Sequence, residues 1–109
     1  MTRATAQLAE LGAGRCKLTG SLTLETAPWL WRELRTGGLL TAATAADLSG
    51  LVESDSTGLA LLVAWRACRR QAGGDVQFTG VPQRLQLLAA LTGAQDAVLS
   101  ASNPGAVGA

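Results

Sequence analysis

Three carboxylates and one hydroxyl lie close together near the middle of the chain, at Asp47, Glu53, Asp55 and Ser56. Carboxylates in such a group could hold a metal ion or act as an acid–base pair, and a serine could act as a nucleophile. The sequence contains no His, which removes the usual general base and most zinc ligands, and it has no G-x-S-x-G motif. We therefore interpret the carboxylates as solvated turn residues. No catalytic residue, metal ligand or cofactor site is expected, so the protein is predicted not to be an enzyme.

Ser56 has the clearest structural role in this segment. It precedes a long apolar stretch that starts at Leu59, and Ser is among the preferred N-cap residues of helices. We expect Ser56 to cap a helix there, where unpaired backbone N–H groups and the helix dipole favour an anion such as phosphate. A capping hydroxyl is also exposed, so phosphorylation of Ser56 and contact with a partner protein are both open as functional roles.

The surrounding pattern predicts the elements that position Ser56. Alternating apolar and polar residues on both sides of Gly12-Ala13-Gly14 predict an antiparallel hairpin over residues 6–19. Helices and strands then alternate: a helix capped by Thr26 and ending at Gly37, a strand over 41–48, a helix over 57–72, a strand over 75–79 and a helix over 82–93. Residues 49–55 are predicted to form a short loop. This order predicts an α/β fold with a mixed sheet of four to five strands and helices packed mainly on one face.

Composition limits the range of functions. A chain of 109 residues is predicted to form a single domain over 1–109, with a core at about 6–99 and a flexible tail at 100–109. The net charge of +1 and the lack of a basic run give no sign of nucleic-acid binding. No apolar run is long enough to span a membrane, and no signal-like core follows the start, so a cytoplasmic location is expected. Cys16 and Cys68 are expected to be buried and reduced.

The helix predicted after Ser56 is apolar on more than one side. Leu59, Leu62 and Val63 follow helical spacing, while Leu61 and Trp65 fall on neighbouring parts of the cylinder. Such a helix is either buried on several sides or bound to a partner. Only 16% of the residues are charged, which also suggests that part of the surface is covered. Trp65 could be the anchor of such an interface, or it could complete the edge of the core.

Two neighbouring segments resemble a known family signature: Asp47-Leu48-Ser49 and Asp55-Ser56-Thr57-Gly58-Leu59. They are similar to the strand–loop–helix signature of STAS domains, the family of bacterial anti-sigma-factor antagonists and of the cytosolic tails of sulfate transporters. The resemblance extends from about residue 6 to residue 99 and implies a STAS fold. It places Ser56 at the position that the antagonists phosphorylate, and Gly58 at the glycine that follows it in the family.

Within this family the chain is most similar to the MlaB-like STAS subunit of the Mla-type phospholipid-transport ABC complex, which maintains outer-membrane lipid asymmetry. Three stretches carry this similarity: Leu59-Ala60-Leu61-Leu62, Gly80-Val81 and Leu30-Trp31-Arg32-Glu33. It implies a non-catalytic accessory subunit that binds and supports the cytosolic ATPase. Such a protein would reach the cytosolic face of the inner membrane only through the complex. Ser56 would lie at the ATPase contact, on a partner-binding surface that we expect to include Asp55, Thr57, Gly58, Leu61 and Trp65.

The resemblance also implies an alternative function. The Mla-type subunit commonly has Thr-Gly-Gly where this chain has Ser56-Thr57-Gly58. A serine followed by a small residue also suits an anti-sigma-factor antagonist. In that case unphosphorylated Ser56 would permit binding to a kinase-type anti-sigma factor, and phosphorylation would block it.

Overall fold

Residues 5–98 are described by a computed structural model, and these residues form four strands and five helices. The strands are β1 (Ala6–Gly12), β2 (Arg15–Leu22), β3 (Ala45–Ser54) and β4 (Gln77–Thr79). The helices are α1 (Ala27–Thr36), α2 (Leu39–Ala42), α3 (Ser56–Gln71), α4 (Gln83–Thr92) and α5 (Gln95–Val98). The tail predicted over residues 100–109 lies outside the described part of the chain. Among residues 5–98, no helix is long and apolar enough to cross a membrane.

The four strands form one mixed sheet in the order β1-β2-β3-β4. β1 and β2 are antiparallel, which confirms the predicted hairpin, and the β2–β3 and β3–β4 pairs are parallel. The hairpin turn uses positive φ angles at Gly12, Ala13 and Gly14. Gly14 is also tightly packed, because a Cβ there would lie 2.9 Å from the carbonyl oxygen of Ala42. This glycine therefore lets the turn pack against the segment that leads into β3.

One face of the sheet is apolar and buried beneath the helices. Cys16 and Leu18 of β2, Leu48 of β3 and Phe78 of β4 are each no more than 1% exposed, whereas Lys17 and Asp47, which alternate with them, are partly exposed. The helices bury large side chains against this face: Leu30, Leu34, Leu62, Trp65 and Leu85. The prediction of a mixed sheet with helices mainly on one face is confirmed.

The segment before β3 differs from the prediction. A strand was expected over residues 41–48, but residues 39–42 form the short helix α2, and β3 begins only at Ala45. Alanine favours helix over strand, and the side chain of Arg69 donates hydrogen bonds to the carbonyl oxygens of Thr41 and Ala43 at the end of α2. The distant arginine thus satisfies carbonyl groups that a helix of four residues cannot pair by itself.

The loop predicted after Leu48 is also absent, because β3 continues to Ser54. Its second half pairs with β2, with Gly50 opposite Thr19 and Ser54 opposite Leu22. The polar residues that suggested a loop are instead the exposed residues of a strand, including Ser49 and Glu53. As a result, the carboxylates Asp47 and Glu53 occupy different positions along one extended strand.

Candidate partner-binding site

Asp55, and not Ser56, is the N-cap of α3. Asp55 has extended backbone angles, and its Oδ1 accepts a hydrogen bond from the backbone N–H of Gly58 at 3.0 Å. Its Oδ2 accepts a second bond, from the N–H of Leu24 at 3.1 Å. The prediction that Ser56 caps the helix was therefore wrong by one residue. Since β3 runs to Ser54, Asp55 is left as the only residue between strand and helix.

In this arrangement the hydroxyl of Ser56 does not cap the helix. Ser56 is the first residue of α3, its side chain is exposed, and among the described residues its hydroxyl makes no hydrogen bond. It lies in the first turn, where the unpaired N–H groups of the helix favour a negative charge. The site can thus present a hydroxyl to a partner or accept a phosphoryl group.

Small residues extend from Ser56 along one side of α3. Ala60, Ala64 and Ala67 follow it at helical spacing, and all three are at least partly exposed. We call the four residues Ser56, Ala60, Ala64 and Ala67 the α3 ridge. Small side chains allow another backbone to approach a helix closely, so this ridge offers a surface on which a partner element can pack.

Two apolar grooves border the α3 ridge. The first, which we call the α1 groove, has a volume of about 360 Å³ and includes Pro28 and Trp31 of α1 and Thr57 and Leu61 of α3. The second, which we call the α4 groove, has a volume of about 420 Å³, and its far wall includes Thr92 and Ala94, at and just after the end of α4. Ala60 and Ala64 line both grooves. The ridge and its grooves therefore form one continuous apolar surface that begins at Ser56.

A more polar depression lies on the other side of the start of α3. Its volume is about 420 Å³, and its lining includes Glu25, Glu53, Asp55 and Arg84. The Nε of Arg84 donates to the carbonyl oxygen of Ser54 at 3.1 Å, at the end of β3. The sequence interpretation missed Arg84. The available signal was its place in the first turn of α4, where the helix dipole disfavours a cation.

Asp47 lies apart from the other two carboxylates of this segment. Asp47 lies seven residues before Ser54 on the same strand, a separation of about 23 Å in extended chain. The N–H of Ser49 donates to Asp47 at 2.9 Å and is the main reason that the pKa of Asp47 lies below its usual range. Within residues 5–98, no three side chains of metal-ligating type lie close enough together to hold a metal ion.

The prediction of Trp65 as a surface anchor was wrong. Its side chain is 0% exposed, its Nε1 donates to the carbonyl oxygen of Leu39 at 2.9 Å, and its ring packs edge-on against Phe78 at 5.6 Å. A buried indole needs an acceptor for its N–H, and α2 provides one. Because a strand and not the helix α2 was predicted in this segment, the Leu39 carbonyl oxygen was not expected to accept this hydrogen bond.

The other residues of the predicted partner surface have different positions. Thr57 is partly exposed and lines the α1 groove, and Leu61 lines the same groove while being only 6% exposed. Gly58 is buried, so its inclusion in a contact surface was also wrong. A Cβ at Gly58 would overlap the carbonyl oxygen of Leu22 and lie 2.7 Å from its Cγ. The role of Gly58 is to let the first turn of α3 pack directly on the end of β2.

The two cysteines lie away from this site. Cys16 is buried in β2, and burial, with a smaller effect of Glu10, raises the pKa of its thiol to about 11. Cys68 is partly buried in α3, and both thiols are free. Cys16 is therefore held in the protonated, unreactive form at neutral pH.

Comparison with known families identifies the domain. The sequence profile of the family described as "Mlab, STAS domain" matches residues 6–100. The chain belongs to the MlaB family of STAS domains. STAS domains act through protein–protein interactions. None of the curated proteins with which the chain was compared matches it.

The fold of this STAS domain is also found among solved structures. The anti-sigma factor antagonist SpoIIAA in its unphosphorylated form superposes with a TM-score of 0.67, over 87% of this chain and 86% of that one. The two sequences are 14% identical, so the similarity demonstrates a common fold. It confirms the predicted STAS architecture.

Proposed function

We propose that this STAS domain is a non-catalytic accessory subunit of a bacterial phospholipid-transport ABC complex of the Mla type. It binds and supports the cytosolic ATPase, and it reaches the inner membrane only through that complex. The MlaB family match supports the choice of complex. The structural observation that carries the proposal is the continuity of the exposed Ser56 hydroxyl with the apolar α3 ridge.

The shape of this surface suits a helical partner. The α3 ridge is narrow because its helical positions hold alanines, and the two grooves beside it can receive larger apolar side chains. The exposed hydroxyl of Ser56 adds one polar contact at the end of the surface, which would fix the position of the partner along α3.

A charge substitution on the ridge tests this proposal. The tagged protein is purified from its native cells, copurifying proteins are identified by mass spectrometry, and the affinity for the recovered ATPase is measured. Ala60→Arg places a long charged side chain between the two grooves and should lower the affinity at least tenfold. Ala90→Arg is the matched control, because Ala90 is an exposed helical alanine outside both grooves. Recovery of an anti-sigma kinase without any transporter ATPase would contradict the proposal.

A second function, that of an anti-sigma-factor antagonist, is favoured by one observation. The Ser56 hydroxyl is exposed, unpaired among the described residues, and placed where a helix N-terminus stabilises a phosphate. In this alternative the partner is an anti-sigma factor kinase, and phosphorylation of Ser56 prevents binding.

Phosphorylation of Ser56 separates the two functions, and Ser56→Asp mimics its negative charge. Because Asp55 is the cap, this variant keeps the cap and adds a negative charge in the first turn, so it should fold normally. An antagonist would be phosphorylated at Ser56 in growing cells, and Ser56→Asp would abolish its binding to the kinase while Ser56→Ala preserved it. A transport subunit would copurify with the ATPase and would show no phosphate at Ser56 by mass spectrometry.

A further inference from the structure

Arg66 is a buried charge that neither proposed function uses. It lies in the middle of α3 and is 2% exposed, although arginine is almost never fully buried unless it is paired. Its guanidinium forms a bidentate ion pair with Asp75: Nε donates to Oδ1 at 2.9 Å, and Nη2 donates to Oδ2 at 3.0 Å. Asp75 belongs to the connection between α3 and β4. One side chain thus ties that connection to α3.

The same guanidinium also holds α5. Its Nη1 donates to the carbonyl oxygens of Asp96 and Ala97, both at 3.0 Å. These two carbonyl groups of α5 thus accept hydrogen bonds from a charged side chain of another helix. Apart from Val98, which is 1% exposed, no residue of α5 is fully buried. The position of α5 therefore depends strongly on Arg66.

The position of α5 in turn determines the far wall of the α4 groove. Two residues of this wall are Thr92, the last residue of α4, and Ala94, in the short connection to α5. The N–H of Ala94 donates to the carbonyl oxygen of Ala89 at 2.8 Å, and the N–H of Ala97 donates to Ala94 at 3.1 Å. If α5 detaches, this wall loses its support on one side.

We propose that Arg66 is a positioning residue for partner binding: it fixes the wall of the α4 groove through α5 without touching the partner. This role rests on the proposed docking of a partner on the α3 ridge. Arginine suits this role because its planar guanidinium can donate to the carboxylate of Asp75 and to two carbonyl groups of α5 at the same time.

The test combines hydrogen exchange with binding. Arg66→Met keeps an unbranched apolar side chain in place of the arginine stem and removes the guanidinium donors. In the isolated protein, we expect the protection of the Ala94 and Ala97 amides to fall at least tenfold more than that of the β2 amides. The control is Leu18→Val, which removes a methylene from the buried face of β2 and should lower β2 protection more than that of Ala94 and Ala97. Unchanged protection of Ala94 and Ala97 in Arg66→Met would overturn the proposal.

Binding of the copurified transporter ATPase provides the second measurement. Arg66→Met should bind about tenfold more weakly than the wild type, and Leu18→Val should bind within twofold of it. Equal losses in the two variants would show that Arg66 acts only on stability, and would refute the positioning role. If Arg66→Met does not fold, Asp75→Asn replaces it, since it weakens the fork from the exposed side. Wild-type protein that fails to bind the ATPase would instead refute the proposed function. The exchange data would still show whether Arg66 holds α5 in place.

Discussion

The assignment of Asp55 as the cap of α3 leads to a quantitative prediction for Asp55→Ala. The substitution removes both acceptors of the carboxylate, the one for Gly58 N–H and the one for Leu24 N–H. Loss of an N-cap costs about 1 kcal/mol. The bond to Leu24 is charge-assisted but lies in an exposed place where water can replace it, so its loss adds about 1 kcal/mol. We therefore expect the free energy of unfolding to fall by about 2 kcal/mol.

Ser56→Ala is the matched control for this prediction. Both variants truncate a polar side chain at the start of α3, but among the described residues the Ser56 hydroxyl makes no hydrogen bond. Ser56→Ala should therefore change the free energy of unfolding by less than about 0.5 kcal/mol. Urea unfolding followed by tryptophan fluorescence, to which the buried Trp65 contributes, measures both values. If Ser56→Ala were the more costly of the two, Ser56 would be the true cap and the assignment of Asp55 would be wrong.

Two further predictions concern residues that position this site. Gly58→Ala should lower the free energy of unfolding by about 3 kcal/mol in urea, because overlap with the Leu22 carbonyl exceeds the gain in helix propensity; a neutral effect would contradict the packing described. The fork from Arg66 is the main reason that the pKa of Asp75 lies below its usual range. A lowered folded-state pKa stabilises the protein above about pH 4 and ceases to do so as pH falls through that pKa. Asp75→Asn should therefore be less stable than the wild type at pH 6, and the difference should shrink toward pH 3. A constant difference would show that the charge of Asp75 is unimportant.

The periodicity of apolar residues and the positions of glycines between the segments predicted much of the fold. The Gly12-Ala13-Gly14 turn between alternating segments indicated the hairpin, and the helix predicted over 57–72 agrees with α3 to within one residue at each end. The signature around Ser56 indicated the family that the profile match confirms. These features are local, so neighbouring residues contain the whole signal.

The features that the sequence did not reveal depend on residues far apart in the chain. α2 is held by Arg69, which is 26 or more residues away in the chain. The Leu39 carbonyl oxygen of α2 in turn accepts the hydrogen bond from the indole N–H of Trp65. The second half of β3 is a strand because β2 pairs with it. α5 accepts hydrogen bonds from the guanidinium of Arg66, which lies about 30 residues before it. The sequence did contain one indication of these contacts. Arg66 lies in the middle of an apolar helix, and a buried arginine requires a partner.

The largest apolar side chains of α3 are buried, whereas its alanines at positions 60, 64 and 67 are at least partly exposed, and this distribution decides where a partner can bind. Leu62 and Trp65 are both 0% exposed, so the residues with most apolar area to offer a partner are already used by the core. The residues left for a partner are those of the α3 ridge, and each alanine there contributes little by itself. Affinity must then come from close backbone approach and from side chains that the partner inserts into the two grooves. A ridge of this kind tolerates no added bulk, which is why Ala60→Arg should disrupt binding more than truncation of any single residue on the ridge.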